Sequence, residues 1–495
     1  MRYKKDSHDG LNRRHILKYG LYGSVAGSFP FSFCLNGCRK YEQLEKLPDI
    51  FIILIDTLRA DHLGCYGHRG GHSPNLDTIA TEGVSFERAI SQAPWTQPAI
   101  ASLFSSHYPS VHKVINYGQA CDSVLRGAPK VVVFNDSFVT LAEVLRQAGY
   151  QTAAFVSNPF VLHEFGFAQG FEHFDASFAA NSTPGSVVND AALAWLRQRK
   201  PDRPSFCFLH YMDVHGPYEA RPEFLDPLLD EVEAMPDKRK LSHEEIKKLT
   251  YLFALPNTFT DIDRHNRLNT YREYWVARYN ACIREVDNYI KSLRVQLEQM
   301  GLWDDAYVIV TADHGEALLE HGNWEHGFSV HHPEVNVPLF LRWPGVLSAG
   351  KRIRGTVQLI DLMPTLIDQL KLPKAKGLQG RSLMKEITGR QNLVEETAAF
   401  AEGVKSGPEQ NAIYLGSWKM MVIPSKRLRE LYFLVDDPLE QNELSARNPQ
   451  KVQELTKILQ EQITLNNLLG SAISTEKVPL TPEQQNRLRS LGYLK

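Results

Sequence analysis

The sequence predicts an α/β fold: a doubly wound, mostly parallel sheet followed by a smaller α+β C-terminal domain. The first observation is a set of apolar, β-branched runs that are typical of strands buried on both faces of a parallel sheet. The second is that helical patterns alternate with these runs, as in doubly wound domains. The predicted strands are 49–55, 152–156, 205–211, 306–311 and 337–341, and the predicted helices are 139–148, 186–197 and 271–297.

After about Gly380 the alternation of buried strands and helices gives way to short strand patterns. Patterns typical of hairpin strands cover 397–404, 411–423 and 431–435, and a helical pattern covers 449–466. We therefore predict three segments: an export segment and linker at 1–46, the main α/β domain at 47–385, and a C-terminal α+β subdomain at 386–495.

Composition excludes several classes of protein. The chain has 495 residues, of which 43% are hydrophobic, which is enough for a large buried core. Its formal net charge is -2, so neither a nucleic-acid partner nor a broadly basic membrane-binding face is expected. The six cysteines form no CxxC pair and no zinc-type spacing, which favours unpaired structural cysteines.

The first 46 residues are typical of a bacterial secretory signal. Arg13 and Arg14 precede a short apolar run rich in Gly and Ser, and adjacent arginines are found in twin-arginine signals. That run is short for a membrane span, which needs about 20 mostly apolar residues. Its end, Leu-Asn-Gly-Cys38, resembles the lipobox of bacterial lipoproteins. A lipidated Cys38 attached to the membrane, a signal cleaved nearby and an uncleaved anchor all place the folded part outside the cytoplasm, so we expect a periplasmic protein or a membrane-anchored lipoprotein.

Polar residues follow two of the predicted strands. Asp56 comes directly after the first strand, and Asp313 and His314 follow the strand at 306–311. Active sites of open parallel sheets lie beyond the carboxyl ends of the strands, where carboxylates and imidazoles are suitable cation ligands. Adjacent Asp and His can face one ion only at a sharp turn, which we expect Gly315 to permit. A lone Asp at such a place is also a common helix cap.

Thr96 precedes a helical stretch that has Pro98 in its first turn. The local pattern alone favours Thr96 as an ordinary helix N-cap. The same position could also serve in catalysis or anion binding, because unpaired backbone N–H groups and the positive end of the helix dipole favour an anion there.

The chain from residue 49 onward resembles the sulfatase family of the alkaline phosphatase superfamily, which implies an alkaline-phosphatase-like fold with a catalytic domain at 47–385. The resemblance rests on these segments: IDTLRADHLGCYG at 55–67, SPNLDTIATEGVSFERAIS at 73–91, TQPAIASLFSSHYPSVH at 96–112, HYMDVHGPY at 210–218, TADHGEALLEHG at 311–322, VPLFLRWPG at 337–345, QLIDLMPTLID at 358–368, LQGRSL at 378–383, ELYFLVDDPLEQNEL at 430–444 and LRSLGYL at 488–494.

The sequence departs from the usual sulfatase pattern around the nucleophile. Typical members carry Cys- or Ser-x-Pro-x-Arg, whose first residue is oxidised to formylglycine, whereas this chain has Thr96 and Ile100. Thr57 replaces the second of two adjacent aspartates, and His314 replaces an asparagine. The lysine-bearing Gly-Lys-Trp-His element is missing near Asn158. These departures resemble the single-metal phosphodiesterases, phosphonate ester hydrolases and head-group transferases of the superfamily.

The resemblance implies roles for seven residues. One divalent ion (Ca, Mg, Mn or Zn) would be bound by Asp56, Thr96, Asp313 and His314, with no formylglycine. A second ion at Asp213, His215 or His326 is left open. The catalytic residues would be Thr96, His215 and His326, and the substrate-binding residues would be Asn158, His215 and His326.

The function implied is hydrolysis of a sulfate, phosphate or phosphonate ester through a covalent intermediate on Thr96. The substrate would be a small molecule or a glycan- or lipid-linked anionic ester. The alternatives are a phospho-head-group transferase of the same superfamily and a non-catalytic binding protein that keeps the fold.

Overall fold

The computed structural model describes residues 47–115, 130–179, 183–235, 245, 271–389 and 397–490. The predicted export signal, including Arg13, Arg14 and Cys38, lies outside the described residues. Residues Leu47–Lys495 form one compact unit, and the boundary predicted between residues 385 and 386 stays a prediction. Among the described helices, none combines the length and the apolar character that crossing a membrane requires.

Seventeen strands are found in the described ranges. They are β1 (Ile50–Ile55), β2 (Val84–Ile90), β3 (Lys130–Val132), β4 (Gln151–Val156), β5 (His173–Asp175), β6 (Ser205–Tyr211), β7 (Tyr307–Thr311), β8 (Ala317–Leu318), β9 (Trp324–Glu325), β10 (Asn336–Val337), β11 (Leu339–Arg342), β12 (Lys351–Gln358), β13 (Ala399–Glu402), β14 (Asn411–Leu415), β15 (Trp418–Ile423), β16 (Leu428–Phe433) and β17 (Lys477–Pro479).

The same ranges contain twelve α-helices. They are α1 (Pro74–Thr81), α2 (Thr96–Ser105), α3 (Pro109–His112), α4 (Leu141–Gln147), α5 (Gly185–Gln198), α6 (Pro222–Glu233), α7 (Arg272–Gln299), α8 (His332–Val335), α9 (Leu362–Gln369), α10 (Met384–Thr388), α11 (Pro449–Gly470) and α12 (Pro482–Ser490). Short 3-10 helices cover Ala60–His62, Gly64–Tyr66, His163–Phe165, Glu320–Gly322, Leu359–Asp361, Pro424–Lys426 and Ser445–Arg447.

A mixed sheet of nine strands, counted over the described residues, forms the centre of the molecule. Its strand order is β10-β2-β11-β7-β1-β6-β4-β5, with β12 also paired to β2. The strands β7, β1, β6, β4 and β5 run parallel. The helices α1, α5 and α6 all contact α7, while α2 contacts α4 and α9, so the helices form two groups, as expected for a sheet covered on both faces. The predicted α/β fold is confirmed.

The strand predicted at 337–341 does not join the parallel part. Pro338 interrupts it, and the halves β10 and β11 run antiparallel to β2, while β11 also runs antiparallel to β7. Proline cannot donate a ladder hydrogen bond, so the strand is divided there. Because β12 runs parallel to β2, the sheet is mostly parallel as predicted, and the expectation of a parallel strand is wrong only at 337–341.

The C-terminal part contains an antiparallel sheet in the order β13-β14-β15-β16, and α11 packs against β14. The pattern predicted at 411–423 is a hairpin of β14 and β15 that turns between Leu415 and Trp418. The predicted helix at 449–466 continues to Gly470. The smaller α+β part is thus present as predicted.

Candidate metal and catalytic site

The carboxylate of Asp56 lies at the carboxyl end of β1, in the middle of the sheet, and is fully buried. Asn158 Nδ2 donates a hydrogen bond to its Oδ2 over 2.7 Å, and His210 Nε2 donates to the same oxygen over 3.1 Å. Its Oδ1 has no hydrogen-bond partner among the described residues. One carboxylate oxygen is therefore held in place while the other is left for a ligand.

Thr57, the next residue, has a positive φ of 59°. A β-branched residue rarely adopts this left-handed conformation, which costs roughly 1–3 kcal/mol. The turn brings the Thr57 backbone N–H to 3.4 Å from Asp313 Oδ1, and the Thr57 carbonyl accepts a hydrogen bond from the Tyr279 hydroxyl over 2.8 Å. The strained turn thus connects the ends of β1 and β7.

Asp313 and His314 follow β7, the strand beside β1. His314 Nδ1 lies 2.9 Å from the Gly315 carbonyl oxygen, which assigns the ring proton to Nδ1. The lone pair on Nε2 is then available, and Nε2 lies 3.3 Å from Asp313 Oδ2 and 3.5 Å from Asp56 Oδ1. A backbone partner that fixes the tautomer in this way is typical of metal-binding histidines.

Gly315, which we expected to permit a sharp turn, is needed here for close packing, since its φ lies outside the left-handed region. A Cβ at this position would lie 2.0 Å from the carbonyl oxygen of Pro333. The first turn of α8 therefore packs directly against the turn that carries Asp313 and His314.

Thr96 is the first residue of α2 and is almost completely buried. The N-cap is Trp95, and no side chain caps the helix, so the expectation from the local pattern that Thr96 is an N-cap is wrong. Its Oγ1 lies 3.2 Å from His314 Nε2, 3.5 Å from Asp56 Oδ2 and 3.3 Å from Asn158 Nδ2. The hydroxyl therefore faces the two aspartates and the histidine.

The donor set fits a divalent cation. Ligand atoms of Asp56, Asp313 and His314 lie within 4.8 Å of one another, and Asp313 Oδ2, like Asp56 Oδ1, has no hydrogen-bond partner among the described residues. Burial and the negative charge of Asp56 raise the pKa of Asp313. Burial also opposes ionisation of Asp56, but the His210 hydrogen bond and nearby histidines lower its pKa. Two buried carboxylates this close are stabilised together by a cation, and oxygen with imidazole suits Mg, Mn, Ca or Zn.

His215 and His326 lie beside this group. Their ring centroids are 4.9 Å apart, and the His326 ring is 4.4 Å from that of His314. His215 Nδ1 lies 2.7 Å from the Gly216 carbonyl oxygen, and His326 Nδ1 lies 3.1 Å from Glu316 Oε1. Burial lowers the pKa of both histidines. All seven residues predicted for the site thus come together, and their roles stay predictions.

Two residues with clear contacts to the site have no role in the sequence analysis. His210 lies within β6 and holds Asp56, and Glu316 holds His326. His210 stands in an apolar strand run, where a lone histidine is usually a core residue. Only the register of the folded sheet, which pairs His210 with Leu54, places it beside the end of β1.

A second group of metal-binding residue types consists of His321, His331 and Glu440. Here the buried Lys419 ammonium forms an ion pair with Glu440, and His331 Nδ1 lies 2.7 Å from Glu440 Oε2. The His321 and His331 rings are stacked in parallel planes with centroids 3.7 Å apart, so one ion cannot lie in the plane of both rings. The Glu440 carboxylate is therefore already paired with Lys419 and His331, and this cluster is explained as a buried ion pair.

The chain matches known proteins over most of its length. The sulfatase family model matches residues 48–372, and the model of the N-sulphoglucosamine sulphohydrolase C-terminal region matches residues 319–467. An arylsulfatase from Clostridium perfringens is 23% identical over 477 residues, which cover 84% of this chain and 94% of that protein.

Solved structures share the fold. A protein in complex with its substrate D-glucosamine-2-N,6-O-disulfate superposes with a TM-score of 0.68 at 20% identity, covering 85% of this chain and 98% of that one. The phosphonate monoester hydrolase of Agrobacterium radiobacter superposes with a TM-score of 0.63 at 19% identity, covering 88% and 100%.

Proposed function

The chain belongs to the sulfatase family, and we propose that it is a hydrolase that cleaves an anionic sulfate, phosphate or phosphonate ester through a covalent intermediate on Thr96. One observation carries the proposal. The Thr96 hydroxyl, which the chain could have used as a helix cap, instead faces Asp56, Asp313 and His314 at the carboxyl ends of β1 and β7.

Asp56, Asp313 and His314 would hold one divalent cation, with Thr96 Oγ1 as a further ligand. Such a cation supplies positive charge that lowers the pKa of a neighbouring hydroxyl and offsets the charge of the ester oxygens. Asn158 and His210 keep Asp56 in position for this role. The amino-terminal end of α2 adds the positive end of a helix dipole at Thr96.

In the first step, the Thr96 oxygen attacks the sulfur or phosphorus in line as the bond to the alcohol breaks. Thr96 loses its hydroxyl proton to solvent, and the departing alcohol takes a proton from His215 or His326. Both histidines have a pKa lowered chiefly by burial, and a bound anionic ester would raise it by placing negative charge beside the rings.

In the second step, water attacks the sulfur or phosphorus of the modified Thr96. The bond to the threonine oxygen breaks, the hydroxyl is restored, and sulfate, phosphate or phosphonate leaves. One water is consumed in each cycle: one of its protons restores the Thr96 hydroxyl, and the other returns to the histidine that protonated the alcohol.

Threonine at position 96 supports catalysis without formylglycine. Its β-carbon carries a methyl group, so oxidation at that carbon cannot give the aldehyde that formylglycine carries. The esters of relatives indicate the substrate class: Bacteroides thetaiotaomicron proteins that share 22–23% identity with this chain include a hexuronate-2-O-sulfatase and an N-acetylglucosamine-6-O-sulfatase. We propose a glycan- or lipid-linked or small-molecule anionic ester.

Export belongs to the same proposal. Arg13, Arg14 and the Gly-Cys38 pair are typical of a bacterial secretory signal and lipoprotein site, and on this basis we propose that the enzyme is periplasmic or a membrane-anchored lipoprotein. Radiolabelled palmitate incorporation into the wild type, absent from Cys38→Ala, tests the lipid attachment.

A substrate panel tests the chemistry. Purified protein loaded with Mg, Mn, Ca or Zn is incubated with aryl sulfate, aryl phosphate, phosphodiester and phosphonate esters, beside Thr96→Val, which keeps the volume and the β-branch but removes the hydroxyl. We expect the variant to lose at least about a thousandfold in turnover. Intact-mass analysis of quenched enzyme should show a sulfated or phosphorylated Thr96. Equal turnover by Thr96→Val would remove Thr96 from the mechanism.

A further inference from the structure

The loop that follows β13 reaches from the C-terminal sheet into the neighbourhood of the catalytic residues. Trp95, directly before Thr96, donates a hydrogen bond from Nε1 to the Gly403 carbonyl over 2.8 Å. The backbone N–H groups of Lys405 and Ser406 both donate to the Gly327 carbonyl, over 2.7 and 3.1 Å. The loop is therefore fastened to the segment of the nucleophile and to the residue after His326.

The side chain of Lys405 is directed along Gly327. A Cβ placed on Gly327 would lie 2.9 Å from Lys405 Cβ, 3.3 Å from Lys405 Cδ and 3.5 Å from Trp95 Cβ. The aliphatic stem of Lys405 and the side chain of Trp95 thus both pack against Gly327, and Lys405 is partly buried. Gly327, with a φ of +85°, is the residue type that leaves room for this stem.

Lys405 carries its positive charge next to residues that flank the candidate site, because its side chain packs on Gly327, the residue after His326, and its loop is hydrogen-bonded to Trp95, the residue before Thr96. A cation held close to these residues makes this side of the site favourable for a negatively charged group.

We propose that Lys405 binds the anionic group of the substrate, so that the C-terminal domain contributes a substrate-binding cation to the active site through the loop after β13. The inference rests on the proposed function, because that function supplies an anionic ester. Lys405 then selects for charge: it favours sulfate, phosphate and phosphonate groups over neutral esters.

Equilibrium binding of anions tests the inference without turnover. Inorganic phosphate and sulfate are titrated by calorimetry into metal-loaded wild type, Lys405→Met and Lys405→Arg. Met keeps the aliphatic stem against Gly327 and Trp95 but removes the charge, whereas Arg keeps the charge. We expect Met to weaken anion binding about tenfold and to flatten its dependence on salt, and we expect Arg to stay within about threefold of wild type. The exposed Lys426, changed to Met, is the matched control.

Several outcomes would overturn the inference. Equal anion affinity in wild type and Lys405→Met would overturn it. An equal loss of anion affinity in Lys405→Met and Lys405→Arg, with unchanged thermal unfolding, would overturn it as well. Absence of anion binding to metal-loaded wild type would also do so. Failure of the proposed function is separate, because it appears as absent ester turnover in a wild type that still binds anions through Lys405.

Discussion

The Nε2 atom of His314 lies 3.2 Å from the Oγ1 atom of Thr96, although 218 positions separate the two residues in the chain. One residue begins helix α2, and the other follows strand β7. The Gly315 carbonyl fixes the imidazole tautomer, so the nitrogen lone pair rather than an N–H faces the hydroxyl and the carboxylates. The site is therefore arranged for a shared cation before any substrate arrives.

Loading with metal should stabilise the protein through Asp313. A ligand that binds only the folded state at a hundred times its dissociation constant adds about 2.7 kcal/mol to the free energy of unfolding. We expect Asp313→Asn to lose this stabilisation and to unfold at a higher temperature than wild type without metal, because one of two buried, adjacent carboxylates is gone. Calorimetric scans with and without chelator measure both effects. The exposed Asp304→Asn should behave as wild type, and an undiminished metal response in Asp313→Asn would contradict the assignment.

Asn158 should position Asp56 and Thr96 by donating hydrogen bonds to both. Asn158→Asp would place a third carboxylate within about 3 Å of Asp56, so we expect turnover to fall by at least about a hundredfold and metal-free stability to decrease. Asn158→Ala, which adds no charge, should lower turnover by about tenfold. Steady-state rates at saturating metal and urea unfolding provide the measurements, with the exposed Asn442→Asp as control. Full activity in Asn158→Asp would disprove this role.

A comparison of substrates with good and poor leaving groups should show which histidine protonates the departing alcohol. General acid catalysis contributes about 10²- to 10⁴-fold when the departing alcohol is poor, and little when it is a stable nitrophenolate. We expect His326→Ala or His215→Ala to lose that factor on alkyl esters and far less on 4-nitrophenyl esters. If a variant loses the same factor in turnover on both ester types, the replaced histidine binds substrate or supports the structure. The other histidine is then the general acid.

Glu334 should make the stability of the protein depend on pH. Its carboxylate is fully buried, and burial raises its pKa from 4.5 to about 7, although Ser329 and the backbone of Phe328 donate hydrogen bonds to it. An acid with a raised folded-state pKa binds its proton more tightly in the folded state. Its stabilising effect is therefore complete below pH 4.5 and is lost as the pH rises through 7.

The loss should be on the order of 3 kcal/mol between pH 5 and 8. Urea unfolding of wild type and Glu334→Gln across this range measures it, since Gln can accept and donate at the same positions without ionising. The difference between the two proteins should shrink towards pH 5 and grow towards pH 8, in favour of the variant. The exposed Glu461→Gln should show no such trend, and a pH-independent difference for Glu334→Gln would refute the prediction.

Much of the site could be predicted because parallel strands deliver their following residues to one edge of the sheet. Asp56, Asp313 and Asn158 follow β1, β7 and β4, and strand order places these ends together. The pattern around Thr96 was ambiguous, since a threonine before a helix is usually a cap. His210 was missed because it lies inside an apolar run, and Lys405 because nothing in a loop sequence shows which distant segment it touches.

By itself the sequence determined the buried strands, their alternation with helices and the polar residues at their ends, because these follow from local periodicity and from what a buried strand can contain. Only the tertiary structure decided that β11 runs antiparallel to β7, that Thr96 begins α2 with its hydroxyl towards His314, and that Lys405 contacts Gly327, the residue after His326. Those features depend on which segments pack against one another across hundreds of residues, and local patterns do not encode that choice.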